Sequence, residues 1–149
     1  MKLSTKGRYG VTAMFDLAVR YGQGPISIKE ISERQLISEP YLEQLFASLR
    51  KAGLISSIRG AQGGYILAHH PEDIRVGDVI RVLEGPIAPT NCVKEDDSFQ
   101  CEKSNTCVTR DIWLKIRDRI NDVIDDISLA DMVDNYEKKL SNEAYMYYI

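Results

Sequence analysis

No apolar run in the sequence approaches the ~18 residues that a membrane-spanning helix requires. The charged start, Met1 to Arg8, is not followed by an apolar segment of the signal-peptide kind. The cytosol is therefore the expected location. Only two histidines occur, His69 and His70, and they adjoin a turn, as surface residues rather than ligands would. The three cysteines include no C-x-x-C pair, which weighs against a zinc ribbon. No paired carboxylates, Ser/His set or phosphate loop accompanies them, so an enzyme is not expected. Glycine and proline, ten and five residues, are too sparse for a collagen-like or low-complexity chain.

What is present suits one compact unit, or one small domain with an appended element. The chain has 149 residues, of which 44% are hydrophobic and 28% charged. A chain of this length buries roughly two-thirds of its unfolded surface, enough for a core without disulfides. The net charge of −3 conceals a gradient. Residues 1–60 carry nine Lys/Arg against five Asp/Glu, whereas residues 85–149 carry eight against thirteen. Such asymmetry marks a basic working face on an acidic body.

Between Lys6 and Tyr21 the residues Val11, Met14, Phe15, Leu17 and Ala18 recur at helical spacing, and Gly22-Gln23-Gly24-Pro25 ends the helix. Ser27 and Glu30 form a capping-box pattern opening a short helix that ends near Arg34. Ser38 is the next N-cap, with Pro40 in the first turn of a helix running to about Lys51 and closed by Gly53. Two strand-like runs, Leu54–Arg59 and Tyr65–Leu67, flank the turn Gly60-Ala61-Gln62-Gly63-Gly64. A short amphipathic helix from Val76 to Leu83 follows. Residues 85–106 read as a loop, and a long helix capped by Thr106 runs from Cys107 to about Ile127. Ser128 caps one or two further turns, Leu129 to Val133, before the tail.

The fold expected is mostly α with a small β-hairpin wing: a winged helix-turn-helix plus a long dimerisation helix. In that arrangement a second helix presents N-terminal polar residues to base edges while its far side packs inward. Leu42, Leu45 and Leu49 can pack inward, leaving Ser38, Glu39, Tyr41, Glu43, Gln44 and Ser48 outward. Gln reads adenine with two hydrogen bonds and Glu accepts from cytosine, each worth ~1–3 kcal/mol of discrimination. Arg59, beside Gly60 at the hairpin tip, suits a narrow minor groove. Lys2, Lys6, Arg8, Arg50 and Lys51 are phosphate-anchor candidates.

Several stretches are similar to the IscR/CymR-type bacterial regulators of the Rrf-two superfamily. They are Met1–Gly10, Tyr41–Leu45, Leu49–Gly53, Ile58–Tyr65, and Val79-Ile80-Arg81 through Glu84-Gly85. The resemblance implies a homodimeric winged-helix repressor that binds palindromic double-stranded operators. It carries base contact onto Glu43 and Gln44 and minor-groove contact onto Arg59. The chain departs from the IscR pattern at Pro40, where a polar side chain is usual. Gly63 and Gly64 are expected to permit the wing turn.

Cys92, Cys101 and Cys107 all fall in one stretch, spaced C-x8-C-x5-C. Clustered cysteines in a cytosolic chain suit a metal or redox role more than a structural disulfide. An iron–sulfur cluster, a thiol redox switch, zinc and inert thiols all remain open from the pattern. Cys107, in the first turn of the long helix, should have a lowered pKa. IscR-type members hold a two-iron, two-sulfur cluster on three cysteines of this loop, with a His three residues beyond the last. The resemblance thus makes Cys92, Cys101 and Cys107 the ligands. Arg110 stands at the His position, leaving Asp111 or an external thiol as fourth ligand.

Trp113, Ile116, Ile120, Val123 and Ile127 are spaced 3-4-3-4, a seam for a two-fold mate or for the chain's own domain. Palindromic operators favour the mate. The expected division is a reading head over 1–84, a cysteine-bearing loop over 85–107, and a dimerisation helix with tail over 108–149. The last residues, Glu143 to Ile149, resemble the end of the cysteine-metabolism repressors of the superfamily. Those repressors act with cysteine synthase, so the tail is a candidate docking segment for that partner, and the cysteines would then sense oxidation.

Overall fold

The computed structural model describes residues 2–96 and 99–147. The helices are α1 (Thr5–Val19), α2 (Ile28–Gln35), α3 (Glu39–Lys51), α4 (Val76–Glu84), α5 (Val108–Asp126) and α6 (Leu129–Tyr147). Strands β1 (Ile55–Ile58) and β2 (Gly64–Leu67) lie between α3 and α4, and single 3-10 turns occupy Pro71–Asp73 and Asn91–Val93. The architecture is a winged helix-turn-helix with two long helices appended.

Each local signal has a physical counterpart. Ser27 Oγ accepts from the Glu30 N–H at 3.2 Å, and the Glu30 carboxylate accepts from the Ser27 N–H at 3.0 Å, so α2 starts on a complete capping box. It ends on Leu36, a non-glycine residue with φ of +56° that turns the chain toward α3. Ser38 takes the N-cap position of α3, although its hydroxyl makes no capping bond. Pro40 instead pre-sets the first turn.

The hairpin is antiparallel, pairing Ile55 with Leu67 and Ile58 with Gly64. Gly64 has φ of +155°, and a Cβ there would meet the Ile26 carbonyl oxygen at 2.3 Å, because Ile26 pairs with Tyr65 beside the sheet. Glycine is thus required by both conformation and space.

Met14 and Leu17 of α1, Ile31 of α2, Leu42, Leu45, Phe46 and Leu49 of α3, and Val79 of α4 form one core. Phe46 meets the edge of Tyr65 at 4.8 Å between ring centres, tying the third helix to the wing. Gly10 lets α4 close on α1, since a Cβ there would lie 2.0 Å from Leu83 Cδ1.

Two boundaries differ from the sequence expectation. The long helix α5 starts at Val108 with Cys107 as its N-cap, so neither Thr106 caps it nor does Cys107 lie within its first turn. Residues 129–147 form a second helix of 19 residues rather than one or two turns and a tail. Ser128 and Asp131 start it as a reciprocal cap, at 2.9 and 3.0 Å, and neither Gly nor Pro follows to stop it. Its first residue, Leu129, is fully buried in the core of the reading head.

Asp16 is a buried carboxylate on the core side of α1. Arg34 of α2 donates to it from Nη2 at 2.8 Å and Nε at 3.0 Å, Arg20 at 3.2 Å and Gln35 at 3.3 Å. A buried charge left short of partners is costly. Arg34→Met should therefore lower the unfolding free energy in urea by about 3 kcal/mol, and adding Asp16→Asn should recover part of that loss.

Candidate DNA interface and cysteine loop

On α3 the spacing of Leu42, Leu45, Phe46 and Leu49 buries one side completely. Ser38, Glu39, Glu43 and Gln44 are consequently exposed on the other, and Tyr41 is half-buried beside them. The Tyr41 ring meets Tyr9 edge-on at 5.9 Å, which places the first turns of α1 against the start of α3. Arg8 lies 5.9 Å above the same Tyr9 ring. At the other end of α3, Arg50 donates to Ser57 Oγ of β1 at 3.2 Å. The hairpin tip, with Arg59 and Gly60 exposed, extends from that strand. Contacts therefore run unbroken from Arg8 through Tyr9, Tyr41 and α3 to the wing.

The candidate phosphate anchors are not neutralised by carboxylates of the protein itself. Lys2, Lys6, Arg8, Arg50, Lys51 and Arg59 form no ion pair among the described residues, whereas Arg20, Arg34, Arg81, Arg117 and Arg119 each have a carboxylate partner. Exposed cations without a carboxylate partner can bind phosphate without first breaking an ion pair.

Composition and periodicity gave no sign of how α1 is held at its N-terminus. The side chain of Ser4, its N-cap, leaves the α1 amides uncapped. Glu84, the last residue of α4, does the capping from 80 residues away. Its Oε1 accepts from the Ser4 N–H at 2.7 Å, from the Gly7 N–H at 3.3 Å, and from the Ser4 hydroxyl. Gly7 makes room, since a Cβ there would fall 2.7 Å from Oε1. The sequence singled out Glu84-Gly85 only as part of a resemblance, and no local pattern reveals so distant a cap.

α4 also grips α5. Arg81 forks both oxygens of Asp125 at 2.6 and 2.7 Å and reaches Asn121 at 2.9 Å. That guanidinium holds the Asp125 carboxyl below the ordinary carboxylate range. The end of α5 is stitched to the head by Val76 N–H to Ile127 O and Leu129 N–H to Ile74 O, both 2.9 Å.

All three cysteines are free and half-buried. Cys92 sits in the 3-10 turn Asn91–Val93, with its sulfur 3.1 Å from the Thr90 hydroxyl. The neighbouring Val93 is buried, and its carbonyl accepts from Arg117 of α5 at 3.0 Å, so this turn is fastened to the long helix. Cys107 is fixed at the start of that helix, and Cys101 lies in the intervening stretch. Among the described residues, no three His, Cys, Asp or Glu side chains converge into a metal-binding group. The donor chemistry nevertheless suits an iron–sulfur cluster: three unoxidised thiols in one segment, two of them pinned to the same helix.

The Thr109 hydroxyl, followed by the backbone N–H groups of Arg110 and Thr109, holds the Cys107 thiol below its ordinary range. Asp111, in the first turn of α5, lies near enough for its charge to oppose that effect. Because the thiolate is the nucleophile and the ligand, Thr109→Val should raise the pKa toward that of an ordinary thiol. Iodoacetamide should then modify Cys107 more slowly at pH 7, with the rate inflection moved to higher pH, as peptide mass spectrometry would read.

Against known proteins, the Rrf2 family profile, described as an iron-dependent transcriptional regulator, matches residues 3–135. CymR of Bacillus subtilis is 46% identical over 149 residues, all of both chains. IscR of Aliivibrio salmonicida is 45% identical over 143 residues, 95% of this chain and 83% of that protein. Among solved structures, T. potens IscR is 54% identical, with a TM-score of 0.78 covering 93% of this chain and 90% of the other. These proteins are regulators and not enzymes, and the unpaired cations and exposed α3 face described above fit the same role. The chain belongs to the Rrf2 family of transcriptional regulators.

Proposed function

We propose that this regulator is a homodimeric repressor that binds palindromic operators and answers to a two-iron, two-sulfur cluster on Cys92, Cys101 and Cys107, controlling cluster biogenesis. The observation that carries the reading is the confinement of all three thiols to the segment joining α4 to α5, with the Cys107 thiol, at the α5 N-cap, held below its ordinary pKa range. The cluster, when bound, supplies a labile inorganic crosslink between the cysteine sulfurs. Asp111, or an external thiol, completes the ligand set. The 54% identity to T. potens IscR supports the same reading.

In this account residues 1–84 form the reading head, 85–107 the cysteine loop, and 108–149 the dimerisation element. Glu43 and Gln44 read base edges, Ser38, Glu39 and Tyr41 flank them, and Arg59 with Gly60 enters the minor groove. Lys2, Lys6, Arg8, Arg50 and Lys51 anchor phosphates. Dimerisation through α5 is supported by its burial pattern. Arg117, Asn121 and Asp125 face the protomer's own head and loop, and no residue of the helix is fully buried. Ile112, Val123 and Ile127 are exposed, and Ile116 and Ile120 half-exposed, leaving an apolar stripe for a two-fold mate.

A second reading, a cysteine-metabolism repressor controlled by cysteine synthase, has one specific support. The match to CymR runs the full length of both chains, and α6 ends on the exposed Tyr145, Met146 and Tyr147. The tail residues Tyr148 and Ile149 lie outside the described residues. In this second reading the thiols sense oxidation.

Anaerobically purified protein should be brown and hold about two irons and two sulfides per chain, and Cys92→Ala should lose both the colour and the metal. Colourless protein with about one zinc would contradict the cluster. Iron-free protein that captures cysteine synthase only while Ile149 is present would favour the second reading.

On the DNA side, Glu43→Ala or Gln44→Ala should relax base preference by ~1–3 kcal/mol at one operator position. Lys6→Ala should instead weaken all sequences alike and reduce the salt slope by about one. Unchanged operator binding by Arg59→Ala would remove the wing from the interface.

A further inference from the structure

Glu84 holds a place that neither the reading head nor the cysteine loop explains alone. It is the last residue of α4, and Gly85, with φ of +79°, starts the loop that leads to Cys92. Its Oε1 is at the same time the acceptor for the Ser4 and Gly7 N–H groups, which otherwise have no side-chain cap. Lys6 lies between those two residues, and Arg8 follows them. The α1 start holds no acidic residue in its first turn, so this remote carboxylate also supplies the charge that a helix N-terminus favours. One side chain, on the residue just before the loop, thus joins the end of α4 to the turn that carries the anchors.

We propose that Glu84 is a positioning residue coupling the cysteine loop to the DNA backbone. It holds the first turn of α1 in register only while α4 ends where the loop allows. A loop rearranged at its thiols, whether drawn together by a ligand or forced apart by bulky adducts, moves the α4 terminus and its carboxylate, and Lys6 and Arg8 move with them. The inference rests on the reading of that turn as a phosphate anchor. It does not require the loop's ligand to be a cluster.

Phosphate contacts are independent of sequence, so a random duplex of about 30 bp serves as the probe. Its affinity is measured across a salt series for wild type, Glu84→Ala and Glu84→Gln, each with free thiols and after full modification by N-ethylmaleimide. Hydrogen exchange at the Gly7 amide reports the cap directly. In wild type, alkylating the loop should change the affinity. In Glu84→Ala the Gly7 amide should exchange faster, the salt slope should fall by about one, and the ratio of alkylated to free affinity should approach one. Glu84→Gln keeps the acceptor oxygen but not the charge, and should bring all three readouts most of the way back to wild type.

Faster Gly7 exchange with an unchanged slope and ratio would reduce Glu84 to a structural cap and overturn the proposal. So would a wild-type affinity indifferent to alkylation, or a Gln variant as defective as the Ala variant. Lys6→Ala on the same duplex isolates the underlying reading: an unchanged salt slope there refutes the anchor itself, whatever Glu84 does.

Discussion

Arg81 on α4 holds both oxygens of Asp125 and reaches Asn121, so α5 cannot roll along its axis without breaking a fork of charged hydrogen bonds. The opposite side of α4 packs on α1 so closely that Gly10 and Gly7 tolerate no Cβ without displacing Leu83 or Glu84. α4 is thus a rigid spacer between the reading head and the long helix. An isolated bridge between Arg75 and Ser128, made by the Val76 N–H to Ile127 O and Leu129 N–H to Ile74 O bonds, fixes its other flank, and α6 returns Leu129 to the head's own core. Whatever orients α5 orients the recognition helix with it, because α4 shares one core with α3 and is forked to α5 through Arg81 and Asp125.

In the proposed reading, this frame limits what regulation by the cysteine segment can do. The loop leaves α4 at Gly85 and rejoins α5 at Cys107, so its two ends are attached to elements already locked together. A ligand on its thiols cannot swing one domain against another. It can adjust only the ends of these helices, where the N-terminal turn of α1 and the Cys92 turn are each held by single side chains, Glu84 and Arg117. Modest, local changes in phosphate contact are the output such a frame permits, and phosphate contacts govern affinity strongly enough for modest changes to matter.

The helix-turn-helix was legible because its punctuation is local. Ser27 with Glu30, Pro40, Gly53 and the Gly63-Gly64 turn act within a few residues of where they stand, and each does in the structure what its spacing announced. The cap of α5 was displaced by one residue because Thr106 and Cys107 are both acceptable neighbours of a helix start, and end residues are the least determined part of any helix. Beyond Val133 α6 went unread although Leu129, Met132, Val133, Tyr136 and Leu140 recur at helical spacing and Ser128 with Asp131 carries a cap signal. In the structure that stripe meets α1, where Tyr136 packs edge-on against Phe15 at 5.3 Å. Asp16 and Glu84 escaped for a different reason. Apart from Arg20, one turn on from Asp16, their partners lie 18 to 80 residues away, and an acid on a helix reads as a solvated one until the fold supplies the arginine or the amide. For the DNA face, sequence named the cations, and only the structure separated unpaired ones from those already neutralised.

The central claim is that occupancy of the three thiols sets the grip on DNA. Its most direct measurement is the dissociation constant of one operator duplex, at one salt concentration, for protein carrying iron and sulfide and for the same preparation after both are removed. The account predicts different constants for the two forms, with the difference abolished by Cys107→Ala. Equal constants for loaded and stripped protein across all candidate promoters would contradict it, leaving a DNA-binding regulator whose thiols play no part in its control.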